Sequence, residues 1–508
     1  MAKSNWTRKP SWARYSDPAG RRPAAPAALA CFAVSFVFLL LTHLPFLRLP
    51  YHWDEMGQFI PAARDLLVQG ALVPRSTLPN IHPPLVMAYL AGVWKLFGFA
   101  VPVTRVAMLA LGAVTLTAAY LLAWKLAGAR AAWASVALLA VSPPFVTQSM
   151  LAHLDLAAAF WVLLALYWFL GGRWWLCTLA ATALVLTKET GIILPLILAV
   201  FAPRQRKSLA ILLLPSAALA AWLLLLRWTT GFWGGNPEFE RYNVGQALHP
   251  GRIPLVLLRR IWQLGLSNFH WLATGLLAWA AMRRRAFQDP RWRLLAAVVA
   301  AYLVLHSVVG GAILLRYLLP ALALFYVATA AALGSLPPRL RRAALAVLLA
   351  GLTVSNWWNP PYPFGYEDNL AVTDFIRLHQ QAALWLSHYY PSRAVTTAWP
   401  LTDALSNPLS GYVAQPLRVS PIENFQPGAW NALDPSKVDL LALYSRSWEP
   451  GGGWQNRPAV AALLERHFSY RPQVPRRQWI EKFHLRSLVR WERRGQWMEI
   501  FAAVASGE

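Results

Sequence analysis

The sequence predicts a polytopic α-helical membrane protein of about eleven transmembrane helices, with interfacial helices and a small C-terminal α/β extracytoplasmic domain. Three observations predict it. Hydrophobic residues make up 57% of the 508, against roughly 45–50% in an ordinary soluble protein. Apolar runs of about 20 residues recur along the chain, the length that crosses a hydrocarbon core of roughly 30 Å. The Lys and Arg residues cluster in short stretches between those runs, as the positive-inside rule requires. The net charge of +25 is therefore a topology signal. It does not form one basic face, so no nucleic acid is expected as a partner.

The chain opens on a basic tail, residues 1–26, with Lys3, Arg8, Lys9, Arg14, Arg21 and Arg22. The run from Ala27 to Leu47 is too long for the core of a signal peptide, and no small-residue cleavage site follows. It reads as an uncleaved first helix with a cytoplasmic N-terminus. The expected spans are 27–46, 103–123, 131–147, 155–170, 174–187, 190–203, 208–226, 267–282, 294–309, 316–335 and 341–356. The inner loops then hold Lys125 and Arg130; Arg173; Arg204, Arg206 and Lys207; Arg283, Arg284, Arg285, Arg291 and Arg293; and Arg339, Arg341 and Arg342. Only Asp289 opposes them. The longer outer segments hold Asp54, Glu55, Asp65, Asp155, Glu189, Glu238 and Glu240, and that asymmetry supports the assignment. Cys31 and Cys177 both lie in apolar runs, so no disulfide framework is indicated.

The first outer loop, 47–102, contains a stretch that would reverse this topology if it spanned. Residues 84–100 are apolar, but the run is short and carries Lys95; it reads as an interfacial helix, with 61–72 as a second, more polar one. The membrane domain covers 27–356. Beyond it, "NWWNPPYPFGYEDN" reads as an aromatic collar and linker. Residues 357–508 lack a spanning run. They alternate helix-like stretches (370–390, 458–468) with strand-like ones (393–399, 438–444, 496–504).

Five polar sites map to the outer surface. Asp54 and Glu55 follow the first span; a carboxylate there can take a proton from an attacking hydroxyl, or Asp54 can simply cap the next helix. His82, in "LPNIHPPL", can meet a phosphate or a metal, or be structural. Asp155 stands at the end of span four, where an ionisable group is expensive, though it too can cap a helix. Lys188 and Glu189, in "LTKETG", can pair with each other, or Lys188 can face a lipid phosphate. Arg316, followed by Tyr317 in "LLRYLLP", can grip phosphate by its planar fork or snorkel to the interface. Acids and cations converging on one surface suit a reaction on a phosphate-linked lipid.

With these residues the chain resembles the GT-C superfamily of membrane glycosyltransferases, near the protein O-mannosyltransferases and the bacterial aminoarabinose transferase. "WDE" in the first outer loop, "HPPL", Asp155 after span three and a late "RYLLP" come in the family's order, over residues 27–335. The resemblance implies a bacterial plasma (inner) membrane enzyme that transfers one sugar, with inversion, from a polyprenyl-phosphate donor to a lipid, glycan or protein hydroxyl. It implies Asp54 as general base, Glu55 as support for the base or acceptor site, and Asp155 as a second acid. Lys188 and Arg316 would hold the donor phosphate, with His82 and Tyr317 beside them. Ile81 and His82 stand where the aminoarabinose transferase has an acid and a Lys. A metal ligand is therefore missing, and no metal or other cofactor is assigned. No segment between spans is long enough for the β-trefoil of the O-mannosyltransferases; the longest, 227–266, has about 40 residues. Two other readings stay open. A flippase of lipid-linked sugars would need polar residues at mid-membrane; a non-catalytic scaffold would only bind the lipid-linked sugar.

Overall fold

The computed structural model describes residues 25–202, 206–245, 247–284, 289–448, 457–468 and 472–504. Of the expected basic tail, residues 1–24 lie outside them, as do Arg204, Arg285 and the side chains of Arg206, Lys207 and Arg284.

The membrane part is helical. α1 (Ala25–His43) is apolar all round, and its buried residues Cys31, Ser35, Leu39 and His43 recur every four positions, so one narrow stripe packs inward. The first loop carries α2 (Ile60–Gln69) and α3 (Leu85–Phe97), both at the sites expected for interfacial helices. Then follow α4 (Val101–Ala127), α5 (Ala129–Ala140), α6 (Pro143–Gln148), α7 (Asp155–Leu170), α8 (Trp174–Thr187) and α9 (Ile193–Phe201). The series continues with α10 (Arg206–Thr230), α11 (Pro237–Glu240), α12 (Arg252–Gly265), α13 (His270–Arg284), α14 (Pro290–Val308), α15 (Leu319–Leu333) and α16 (Pro338–Ser355).

Each expected span overlaps a helix, and among the described residues 5 segments are long and apolar enough to cross a bilayer. Their burial sorts them. The segment ending in α15 has 78% of its apolar window buried and forms the core, whereas those of α1 and α10 have 22%. An apolar surface left open over that length fits lipid, not water. Two details depart from expectation. The third span breaks at Ser142, because Pro143 and Pro144 cannot continue the α5 hydrogen-bond ladder. The segment 227–266 contains α12, an amphipathic helix that buries Arg252, Arg260 and Gln263 and exposes Leu258, Ile261 and Trp262, so it offers no apolar run of spanning length.

Past residue 366 the chain forms α17 (Ala371–Tyr389) and one mixed sheet. Its strands are β1 (Val395–Ala398), β2 (Val419–Ile422), β3 (Leu440–Tyr444), β4 (Leu485–Arg493) and β5 (Gln496–Ala503), in the order β2-β1-β3-β5-β4. β1 runs parallel to β2 and β3, and β5 antiparallel to β3 and β4. β1, β3 and β5 sit in the strand-like stretches; β2 and β4 were not expected. β4 is an edge strand rich in exposed charge, which protects the edge but removes the alternating pattern. This region docks on the first loop: the Tyr51 amide donates to the Ser410 carbonyl at 3.0 Å, and the Tyr412 hydroxyl to the Tyr51 carbonyl at 3.0 Å.

Candidate active site

Asp54 and Glu55 open a single π-type turn, Glu55–Phe59, that runs into α2. Such turns recur at functional sites. Glu55 is fully buried. Its Oε1 accepts from Arg105 Nη1 at 2.5 Å and the Ala152 amide at 2.6 Å; its Oε2 accepts from Arg105 Nη2 at 3.1 Å and the His52 amide at 2.8 Å. Arg105, on α4, also donates to the carbonyls of Leu49, Pro50 and Met150. One buried ion pair, with both Glu55 oxygens filled, thus ties the first loop to α4 and to the turn before α7. Glu55 does not line the cavity described below, so any support it gives the neighbouring Asp54 passes through the loop that it holds.

Asp54 turns the other way. It holds the capping position but makes no capping hydrogen bond. Its carboxylate pairs instead with Arg316 Nη2. Arg316 comes from a short 3-10 turn, Leu315–Leu318, just before α15, and its side chain is buried, not snorkelled outward. Its Nη1 donates to His153 Nδ1 at 2.6 Å and lies 3.3 Å from Glu367 Oε2, while Nε lies 3.5 Å from Asp155 Oδ2. Asp155 is the first residue of α7 and also makes no cap; its Oδ1 is 2.6 Å from Lys188 Nζ. Lys188 stands 4.2 Å from the centroid of the Tyr317 ring.

Two cations therefore face three carboxylates. Burial pushes the Glu367 carboxyl up to about 8; Arg316 opposes that rise, and Asp54, Asp368 and Asp155 add to it. Glu367 thus holds its proton to a higher pH than an ordinary glutamate, which lowers the negative charge set against the two cations. Burial and then Arg316 hold His153 well below its ordinary value, so its neutral ring can accept the Arg316 N–H.

Asp54, His82, Asp155, Lys188, Arg316 and Tyr317 all line one cavity of about 960 Å³. Lys188 and Glu189 take separate partners: Glu189 Oε2 is 2.8 Å from His82 Nδ1. Among the described residues no group of three His, Cys, Asp or Glu has a metal-holding arrangement. Three contributions escaped the sequence reading. Arg105 lay inside an apolar span, Glu367 inside the supposed linker, and Trp399, Asp403 and Arg446 of the C-terminal region also line the cavity. The signal available for Arg105 was its charge within a span, which by itself marks a functional or paired residue.

No family model and no curated protein matches the sequence. Solved structures do. The chain is similar to ArnT from Cupriavidus metallidurans bound to undecaprenyl phosphate, at 16% identity and TM-score 0.55, over 95% of this chain and 99% of that one. It is similar to the apo state of the same protein at 16% identity and TM-score 0.54, with the same coverage. The archaeal oligosaccharyltransferase AglB from Archaeoglobus fulgidus matches at 13% identity and TM-score 0.47, over 82% of this chain and 69% of that one. On the ArnT likeness, the fold is that of the GT-C membrane glycosyltransferases.

Proposed function

We propose that the chain is an inverting glycosyltransferase that moves a single sugar from a polyprenyl-phosphate carrier to an acceptor hydroxyl. The observation that carries this reading is the cavity in which a partly exposed Asp54 stands beside Arg316 and Lys188. ArnT, whose fold is shared, was solved with undecaprenyl phosphate; we infer a carrier of that class here. The cavity faces the outer side of a bacterial plasma membrane, with 27–356 as the membrane domain, crossing it about eleven times, and 357–508 outside.

In this reaction the acceptor oxygen attacks the anomeric carbon on the face opposite the phosphate. Its proton passes to the Asp54 carboxylate. The bond from the anomeric carbon to the phosphate oxygen breaks, and its electron pair stays on the phosphate, which leaves with one more negative charge. Arg316 and Lys188 hold that charge in a site poor in water. Both already have carboxylate partners, so the phosphate must displace one. Asp54 has 22% side-chain exposure and Asp155 has 4%. Asp54 therefore yields first, and its freed carboxylate is open to the hydroxyl proton. Asp155 keeps Lys188 in place, Tyr317 supports Lys188 through its ring, and His82 offers a further donor at the cavity wall. Glu55 acts as a positioning residue, through Arg105.

The test is turnover by the purified chain in nanodiscs with a panel of polyprenyl-phosphate sugars, reading the anomeric configuration of the product by NMR. Transfer or slow hydrolysis of one donor with inverted configuration is expected. Retention of configuration removes the single-displacement mechanism, and carrier moved across the bilayer without turnover points to a flippase.

A further inference from the structure

The C-terminal sheet takes no part in the steps above, yet it opens onto the same cavity. Strands β2, β1 and β3 are parallel and lie in that order. The chain leaves β1 for β2 on one side and returns to β3 on the other. Such a reversal opens a crevice beyond the carboxyl ends of the two strands, where open α/β sheets bind ligands. Trp399 follows β1 directly, and Arg446 and Ser447 follow β3 by two and three residues. All three line the cavity with Asp54, as does Asp403.

Packing holds this wall in shape. The Trp399 indole N–H donates to Asp403 Oδ2 at 3.3 Å. Its ring meets Trp53 edge-on at 4.6 Å, and the Arg446 guanidinium lies 5.8 Å from the Trp53 ring centroid. Gly57 leaves the space: a Cβ there would lie 3.0 Å from Trp399 Cζ2. Trp53 itself has a φ of 41°, a region costly for a bulky residue. Strain of that kind persists where the surroundings over-determine it, as at ligand clamps.

We propose that this crevice binds the acceptor, and that the acceptor presents its reactive hydroxyl on a sugar ring. The inference rests on the glycosyltransferase reading above. A pyranose has an apolar C–H face that packs on an indole, and hydroxyls that both donate and accept. Two indoles, a carboxylate, a guanidinium and a serine hydroxyl match both needs. An alkyl alcohol would leave Asp403 and Arg446 without a role. An extended peptide would add to a free strand edge, but β1 and β3 are each paired on both sides. Trp53 precedes Asp54 in the chain, so a ring held on this wall brings its hydroxyl to the base.

Saturation-transfer NMR tests this on the full chain in nanodiscs. The separate probes are methyl glycosides of hexoses and N-acetylhexosamines, a serine-containing peptide and a long-chain alcohol. Glycoside ring protons should receive saturation from the wild type. Trp399→Ala should weaken glycoside binding by about tenfold, and Arg446→Gln should also weaken it. Trp399→Phe, which keeps an aromatic plane, should recover most of it and so guards against a folding artefact. No glycoside signal from the wild type, or one unchanged in Trp399→Ala, overturns the proposal. A response to the peptide or the alcohol alone assigns the crevice to that acceptor class and also overturns it. Donor turnover is read separately: it can fail while glycosides still bind, and glycoside binding can fail while turnover persists.

Discussion

The Glu55–Arg105 pair has side-chain exposures of 0% and 1%, and the Asp54–Arg316 pair 22% and 4%. The acids are adjacent in sequence and each meets an arginine from elsewhere in the chain. Glu55 has its oxygens filled by two arginine nitrogens and two backbone amides. Asp54 has one arginine partner and an open side on the cavity. The first pair holds a loop in place. The second shares its arginine with Asp155, Glu367 and His153, and so can exchange partners. Adjacent acids are thus separated by how completely their oxygens are satisfied, not by residue type.

Substitutions on the two sides should break that comparison in different ways. Asp54→Asn should lower turnover by about a thousandfold, within the range for a lost general base, with the protein still folded; a loss below tenfold removes the base assignment. Glu55→Gln leaves Arg105 buried without its counter-charge, and removing one partner of a buried pair costs about 3 kcal/mol. The melting temperature of the purified protein should fall clearly, and an unchanged value contradicts the structural role.

Glu367 sharpens the comparison through pH. The folded chain keeps its proton up to about 8, whereas an ordinary glutamate releases it near 4.5. Stability from this group is therefore complete below 4.5, declines as pH rises, and is gone above about 8. Glu367→Gln imitates the protonated form and lacks the decline. Relative to wild type its melting temperature should rise progressively across that window; a constant offset contradicts the shift. Gly57→Ala should have the smallest effect. It shifts the Trp399 indole by a few tenths of an ångström and should weaken glycoside binding by about threefold, read by titration in the same NMR assay.

Much of this was legible in the sequence. Long apolar runs fix helices locally, and the residues quoted from "WDE", "HPPL", "LTKETG" and "RYLLP" supply Asp54, His82, Lys188 and Arg316 to one cavity. What could not be read depends on distant partners. Glu55 and Arg105 are 50 positions apart, so nothing local tells a saturated acid from an open one. Glu367 looked like part of a linker because its burial comes from tertiary packing. The role of Trp399 follows from strand order, and β2, four residues long with Pro421 inside, gave no pattern from which that order could be built.

The most direct measurement is turnover per folded molecule for wild type, Asp54→Asn and Glu55→Gln in nanodiscs, with one polyprenyl-phosphate sugar that the wild type consumes. The account predicts a folded but inactive Asp54→Asn, and a less stable Glu55→Gln whose folded fraction still turns over. Activity kept in Asp54→Asn and lost from the folded fraction of Glu55→Gln would contradict it.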